Sequence, residues 1–145
     1  MNKKTIILIS VCVLLFSFWF YSKHPLSATV VIKQTEFIVD LAITPKEKTN
    51  GLSFRKNLPS KHGMLFIYEN KDQYPFWMKD MNFPLDFIWI DGNIVVDITK
   101  SIPPADSTSM QIVKPVVPVN KILEINAGET DKYHIQIGDT VTFNK

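Results

Sequence analysis

Four charged residues, Arg55, Lys79, Asp86 and Glu124, stand in segments that otherwise read as apolar. Two carboxylates are the groups general acid and base chemistry uses, and two cations could fix an anionic substrate beside them. The stretch FWMKDMNFPLDFIWIDGN, residues 76–93, shows the pattern best, with five aromatics crowded around Lys79 and Asp86. Strand alternation puts Leu85, Phe87 and Trp89 on one face and Asp86, Ile88 and Ile90 on the other. By the same alternation Lys79 shares a face with Trp77, and Glu124 shares one with Ile122 and Asn126. Charges in such company are tolerated when paired. Two readings follow. One is a structural ion-pair network in which Lys79 and Asp86 pair with Glu124 and Arg55, which is the more ordinary arrangement. The other is a polar pocket in an aromatic wall, built from the same four residues with Trp77 and Asn126, because perturbed charges gather at sites.

Other chemistry is thinly represented. His24, His62 and His134 lie far apart, with no zinc-ligand spacing. Met64, Met78, Met81 and Met110 lack the close spacing of a soft-metal run and read as gap-filling core. Ser107, Thr108 and Ser109 have no histidine near them in sequence to activate a nucleophile. Asp91-Gly92-Asn93 is a turn and not a calcium loop, since the carboxylate series stops there. No glycine-rich phosphate cradle occurs. The sequence thus predicts no cofactor, no metal and no assigned catalytic residue.

The elements that must position these residues are mostly strands. Thr29 to Lys33 and Thr35 to Ala42 are rich in β-branched and aromatic residues and predict a hairpin across Lys33-Gln34. Thr44-Pro45-Lys46-Glu47 is a capping box with proline at the first helical position, and Gly51 ends that helix after about two turns. Gly63 to Tyr68 reads as a buried strand followed by a polar turn, Glu69 to Gln73. Further strands are expected at Pro75 to Lys79 and Leu85 to Ile90, then a hairpin turn at Asp91-Gly92-Asn93 into Ile94 to Thr99. Lys100 to Pro118, with four prolines, reads as a long loop of the kind that shapes sites. Lys121 to Asn126 is a strand, Ala127 to His134 a short helix, and Thr140 to Phe143 the last strand. The sum is a mostly β or α+β fold. It is expected to be a compact, partly closed β-barrel-like domain of about eight short strands with two short helices.

Residues 1–28 differ in character. Lys3 and Lys4 precede an apolar run from Ile6 to Tyr21, the pattern of a membrane anchor or a secretory signal. Leu26-Ser27-Ala28 is a poor cleavage site, and Phe18 to Tyr21 suit an interfacial belt, so an uncleaved anchor through residues 5–22 is favoured over a cleaved signal. Residues 29–145 then form a single domain outside the cytoplasmic membrane, or in the periplasm or medium if the signal is cut. Cys12, the only cysteine, sits in the apolar run and reads as a small hydrophobe, so no disulfide staples the exported part. Without Lys3, Lys4 and Lys23, 13 cationic residues face 14 acidic ones. That balance excludes nucleic acid as an expected partner, because no net positive field remains.

Four stretches in order carry a resemblance to a known family. They are Gly51-Leu52-Ser53-Phe54-Arg55; Gly63-Met64-Leu65-Phe66; Phe76-Trp77-Met78-Lys79 with Pro84-Leu85-Asp86; and Leu123-Glu124-Ile125-Asn126-Ala127-Gly128 followed by Gly138-Asp139. From about Val30 to Val141 the chain resembles the bacterial and archaeal domain of unknown function 192, in the form that carries an N-terminal export segment. Ser53 stands where that family usually has Met, and Asp80-Met81 where it usually has Asn-Thr. The resemblance implies a compact β-rich domain and assigns no activity. The function expected from the residues is a membrane-tethered, non-enzymatic module that binds a small molecule, a glycan or an envelope protein. The alternatives are an enzyme for a small anionic substrate with Asp86 or Glu124 as acid or base, and an envelope assembly or stability factor.

Overall fold

The computed structural model describes residues 27–105 and 111–144, so the expected anchor and its cysteine lie outside the described residues. Nine strands and two short helices follow in the order β1 (Ser27–Ile32), β2 (Thr35–Ala42), α1 (Pro45–Asn50), β3 (His62–Asp72), β4 (Phe76–Trp77), β5 (Leu85–Asp91), β6 (Ile94–Ile102), β7 (Ile112–Val113), β8 (Val119–Asn126), α2 (Glu129–Lys132) and β9 (Val141–Asn144). Seven strands form one sheet in the order β6-β5-β8-β3-β2-β1-β9, and β4 pairs with β7 in a separate two-stranded piece. The fold is mostly β, as the sequence predicts.

The large sheet curls until its two ends meet. β6 and β9 are its outermost strands, yet the Val95 N–H donates to the Asp139 carbonyl at 2.9 Å and the Val141 N–H to the Asn93 carbonyl at 2.8 Å. The Gly138 N–H also donates to the Val95 carbonyl at 2.8 Å. These bonds close one end of a half-barrel and pair backbone groups that open edges would leave exposed.

Curling gives the sheet two unlike faces. The face shared by all its strands, including the two that meet, buries Val30, Ile32, Phe37, Val39, Leu65, Ile88, Ile90, Val95, Leu123, Ile125 and Val141. It is the filled interior. The opposite face carries Met64, Phe66, Phe87, Trp89 and Ile122, and a second layer covers it with Leu52, Leu58, Phe76, Met78 and Val113. Strands buried on both faces lose simple polar alternation, which explains why β5 reads as a nearly continuous apolar run.

Local signals decide how that second layer is laid down. β2 and β3 are parallel neighbours, so the chain must cross over between them, and α1 lies in that connection. Thr44 caps the helix through the Glu47 N–H, the Glu47 carboxylate accepts from the Thr44 N–H at 2.8 Å, and Gly51 leaves it at a φ of 50°. The hairpin turns at Lys33-Gln34 and Gly92-Asn93 form where expected.

Three expectations need correction. Glu69 to Asp72 continue β3 instead of turning, because the strand keeps pairing with β8 past a bulge, from Ile67 to Asp72. The strand at Pro75–Lys79 shrinks to Phe76–Trp77, since Lys79 and Asp80 enter a turn in which Asp80 has a φ of 57°. The long proline-rich loop is shorter: β6 runs on to Ile102, and Ile112–Val113 supply β7 opposite β4.

Gly63 marks the tightest point of the sheet. It pairs with Ile125, and a Cβ there would meet the Glu124 carbonyl, the Ile125 methyl and the Leu123 side chain. Gly63→Ala is expected to destabilise the domain by about 1–3 kcal/mol, because backbone on β8 must move to admit one methyl. Urea unfolding monitored by circular dichroism checks this; an unchanged midpoint would show that β3 and β8 can separate freely.

Candidate functional site

A cleft of about 240 Å³ opens on the covered face of the sheet. Its walls are Phe66 and Tyr68 from β3, Phe76 and Trp77 from β4, Leu85 from β5, and Met81 from the turn before it. The end of α1, Lys48 to Asn50, forms one rim with Gly51 and Leu52, and Glu124 from β8 supplies a carboxyl. Two loops are tied together beside this rim. The Phe54 N–H donates to the Asp80 carbonyl at 2.8 Å, the Ser53 hydroxyl to the Lys79 carbonyl at 3.0 Å, and the Asn82 amide to the Arg55 carbonyl at 2.8 Å.

The aromatic wall is ordered by edge contacts. Phe76 meets Phe66 edge-on at 4.8 Å between centroids and Trp89 at 5.7 Å. Tyr68 stacks on Tyr74 at 3.6 Å, and the Lys48 ammonium sits 4.0 Å from the Tyr68 ring centroid. Such contacts fix ring orientation and leave the indole of Trp77, 49% exposed, as the open part of the wall. Burial, then Tyr74 and Glu124, push the Tyr68 hydroxyl up to about 12, so it remains a protonated donor and acceptor.

Glu124 is the unusual group. It pairs in register with Met64 on β3 and Phe87 on β5, and its side chain is 5% exposed. Among the described residues none donates a hydrogen bond to its carboxyl, and no cation lies within ion-pair distance. Desolvation therefore dominates and pushes its pKa up to about 8, with the positive charge of Arg55 pulling the other way. Arg55 itself is committed to Asp40, at 2.7 Å. At neutral pH the cleft thus holds a protonated carboxylic acid that a ligand can address.

Asp86 is equally buried and has a different fate. Its two oxygens accept from the Ser101 N–H at 2.8 Å, the Gly128 and Thr130 N–H groups at 3.0 Å, and the Thr130 hydroxyl at 2.6 Å. It ties the β8–α2 turn to β6 and does not line the cleft. Asn126 likewise donates to the carbonyls of Leu58 and Pro59, at 2.9 and 3.2 Å.

The expected pairing of the four charges is corrected by this geometry. Lys79 is exposed and makes no ion pair among the described residues, Asp86 is held by neutral donors, and Arg55 turns to Asp40. Of the six residues singled out in the sequence, the structure brings only Trp77 and Glu124 to the cleft wall, with Arg55 acting on Glu124 through its charge. Lys48 and Tyr68 were missed as partners of the site. The signal for Tyr68 was a hydroxyl-tipped aromatic at the end of a buried strand, whereas nothing local marked Lys48. Among the described residues no group of three potential metal ligands occurs.

A family model described as DUF192, Uncharacterized ACR, matches residues 28–143. Two solved structures share the fold. One, from Sinorhizobium meliloti 1021 and described as a "putative transcription regulator", has a TM-score of 0.77 at 25% identity, covering 83% of this chain and 95% of that one. The other, a protein of unknown function from Novosphingobium aromaticivorans DSM 12444, has a TM-score of 0.72 at 30% identity, covering 80% and 84% respectively. No curated protein matches the sequence significantly.

Two predictions separate the carboxylates. Asp86→Ala strands two buried donors of Thr130 and two partly buried ones, of Ser101 and Gly128, and is expected to cost about 3–5 kcal/mol in a urea titration, whereas a loss under 1 kcal/mol would mean that the turn finds other acceptors. Glu124 titrates higher in the folded chain than in the unfolded one. Its contribution to stability is therefore full below the ordinary carboxylate range and is lost as pH rises through about 8. Within that window the domain should weaken by up to about 1.4 kcal/mol per pH unit. Glu124→Gln should remove the slope and melt higher than the parent at pH 8; identical pH profiles for the two chains would refute the raised pKa.

Proposed function

The chain belongs to the DUF192 family, and from that premise and the cleft we propose that it is a small-molecule-binding module displayed on the outer side of the cytoplasmic membrane. The observation that carries the reading is Glu124, a buried carboxyl without a donor among the described residues, at the wall of an aromatic cleft. A mostly buried carboxyl without a protein donor costs stability, and a ligand that satisfies it recovers part of that cost on binding. The cleft is small beside drug-sized pockets of roughly 300–1,000 Å³, so the ligand is small, or one residue of a larger molecule. Display outside the membrane rests on the positive flank and apolar run of residues 3–21.

The raised pKa of Glu124 also supports a second reading, an acid in catalysis. That reading requires turnover, whereas a binding module returns its ligand unchanged.

Ligand-observed NMR with a collection of small metabolites tests the proposal on the full-length chain in detergent. We expect compounds that bind the parent and lose at least about fivefold in affinity in Trp77→Ala, whose exposed indole can be removed without emptying the core. Hits unaffected by Trp77→Ala and Glu124→Gln would place binding elsewhere and overturn the assignment of the cleft. Chemical change of a hit during incubation would favour catalysis.

A further inference from the structure

We infer that the cleft takes a ligand through an ammonium group, seated between the Glu124 carboxyl and the exposed indole of Trp77. The inference rests on the binding reading above and adds the chemical class of the ligand. Two features of the wall favour positive charge. Glu124 is the acidic side chain that lines the cleft, and among the described residues it has no hydrogen-bond or ion-pair partner to compete with a ligand. The rings around it present negative π-faces, which attract ammonium groups most strongly where water is excluded. Tyr68 is already engaged, by Tyr74 stacked at 3.6 Å and by the Lys48 ammonium 4.0 Å from its centroid, so the open π-face is that of Trp77.

The carbonyl-bearing end of α1, at Thr49 and Asn50, adds partial negative charge on the same rim. The cations facing Glu124 do not cancel this. Arg55 is paired with Asp40 at 2.7 Å and only partly offsets the desolvation of Glu124, and the half-buried Lys48 rests on the Tyr68 ring. Tyr68, the other titratable neighbour, keeps its proton and can accept a hydrogen bond from an ammonium through its oxygen. Phe66, Phe76 and Leu85 leave an apolar wall for the hydrocarbon that carries the amine.

A proton balance follows. The free cleft holds the carboxyl protonated at neutral pH, while the bound ammonium pairs best with a carboxylate. Binding therefore releases the Glu124 proton to solvent, and the ligand keeps its own. Affinity should rise roughly tenfold from pH 6 to pH 7 and level off near pH 8, where the free carboxyl is already ionised.

The test uses three matched probes on the full-length chain, 2-phenylethylamine, 2-phenylethanol and 3-phenylpropionate, with dissociation constants from ligand-observed NMR. The amine alone is expected to bind with the rising pH profile. It should weaken about tenfold in Glu124→Gln and about fivefold in Trp77→Ala, with circular dichroism confirming that both variants fold. Alcohol binding as tight as the amine, flat in pH and sensitive to Trp77→Ala, would overturn the ammonium assignment while leaving the cleft a binding site. Tighter binding of the carboxylate would overturn it in favour of an anion held by Lys48. Failure of all three probes to bind the cleft, while other metabolites do, would overturn the ammonium assignment alone; failure of every compound would remove the binding reading as well.

Discussion

The backbone hydrogen bonds joining β6 to the segment entering β9 set the terms for the rest of the molecule. Without them the seven-stranded sheet would have two free edges, and its branched aliphatic face would be open along one side. With Val95 and Val141 bound to Asp139 and Asn93, that face becomes an enclosed interior packed with side chains from every strand of the sheet. An apolar gap of about 180 Å³ remains beside Leu41, Leu65 and Phe143, with no buried carboxyl among the described residues of its wall. The cleft behind the proposed function lies on the outer face, where α1, the short β4–β7 ladder and the intervening turns lie over the strands and leave a gap between layers.

Two carboxylates on adjacent strands show how environment, and not residue type, decides a role. Asp86 on β5 and Glu124 on β8 are both buried, and they face opposite sides of the same sheet. Asp86 meets three backbone amides and a hydroxyl from segments that need an anchor, so its charge is spent on architecture. Glu124 meets rings and a methionine strand partner, and nothing among the described residues offers it a proton to share. A sequence pattern of a lone acid among apolar residues describes both equally well. Only the donors brought by distant segments tell them apart.

Much of the fold was nevertheless legible. The capping box at Thr44–Glu47, the Gly51 exit and the turns at Lys33-Gln34 and Gly92-Asn93 are local, and local chemistry fixed them. The period-2 split of Leu85 to Ile90 separated the residues of the two cores correctly. What failed was non-local. Glu69 to Asp72 look like a turn by composition, and become strand because β8 lies alongside. Lys79 looks buried by its neighbours in sequence, and is exposed because Asp80 takes a left-handed conformation that ends the strand beneath it. Ion pairing was harder still. Asp40, the actual partner of Arg55, sits in an unremarkable β2 pattern with no local mark of its role.

The parallel pairing of β2 with β3 has a consequence for how such a domain can diversify. A parallel neighbour cannot be reached by a tight turn, so the chain must leave the sheet and return, and it does so over the face that carries the cleft. α1 buries none of its own residues, and it contributes a rim to the cleft without contributing a strand to any ladder. Leu52 and Leu58 beyond it are held by the core, so α1 alone is the replaceable part of the crossover. Its length and its side chains can drift while the hydrogen-bonded frame beneath stays constant, so the shape of the cleft rim and thermodynamic stability can be inherited separately.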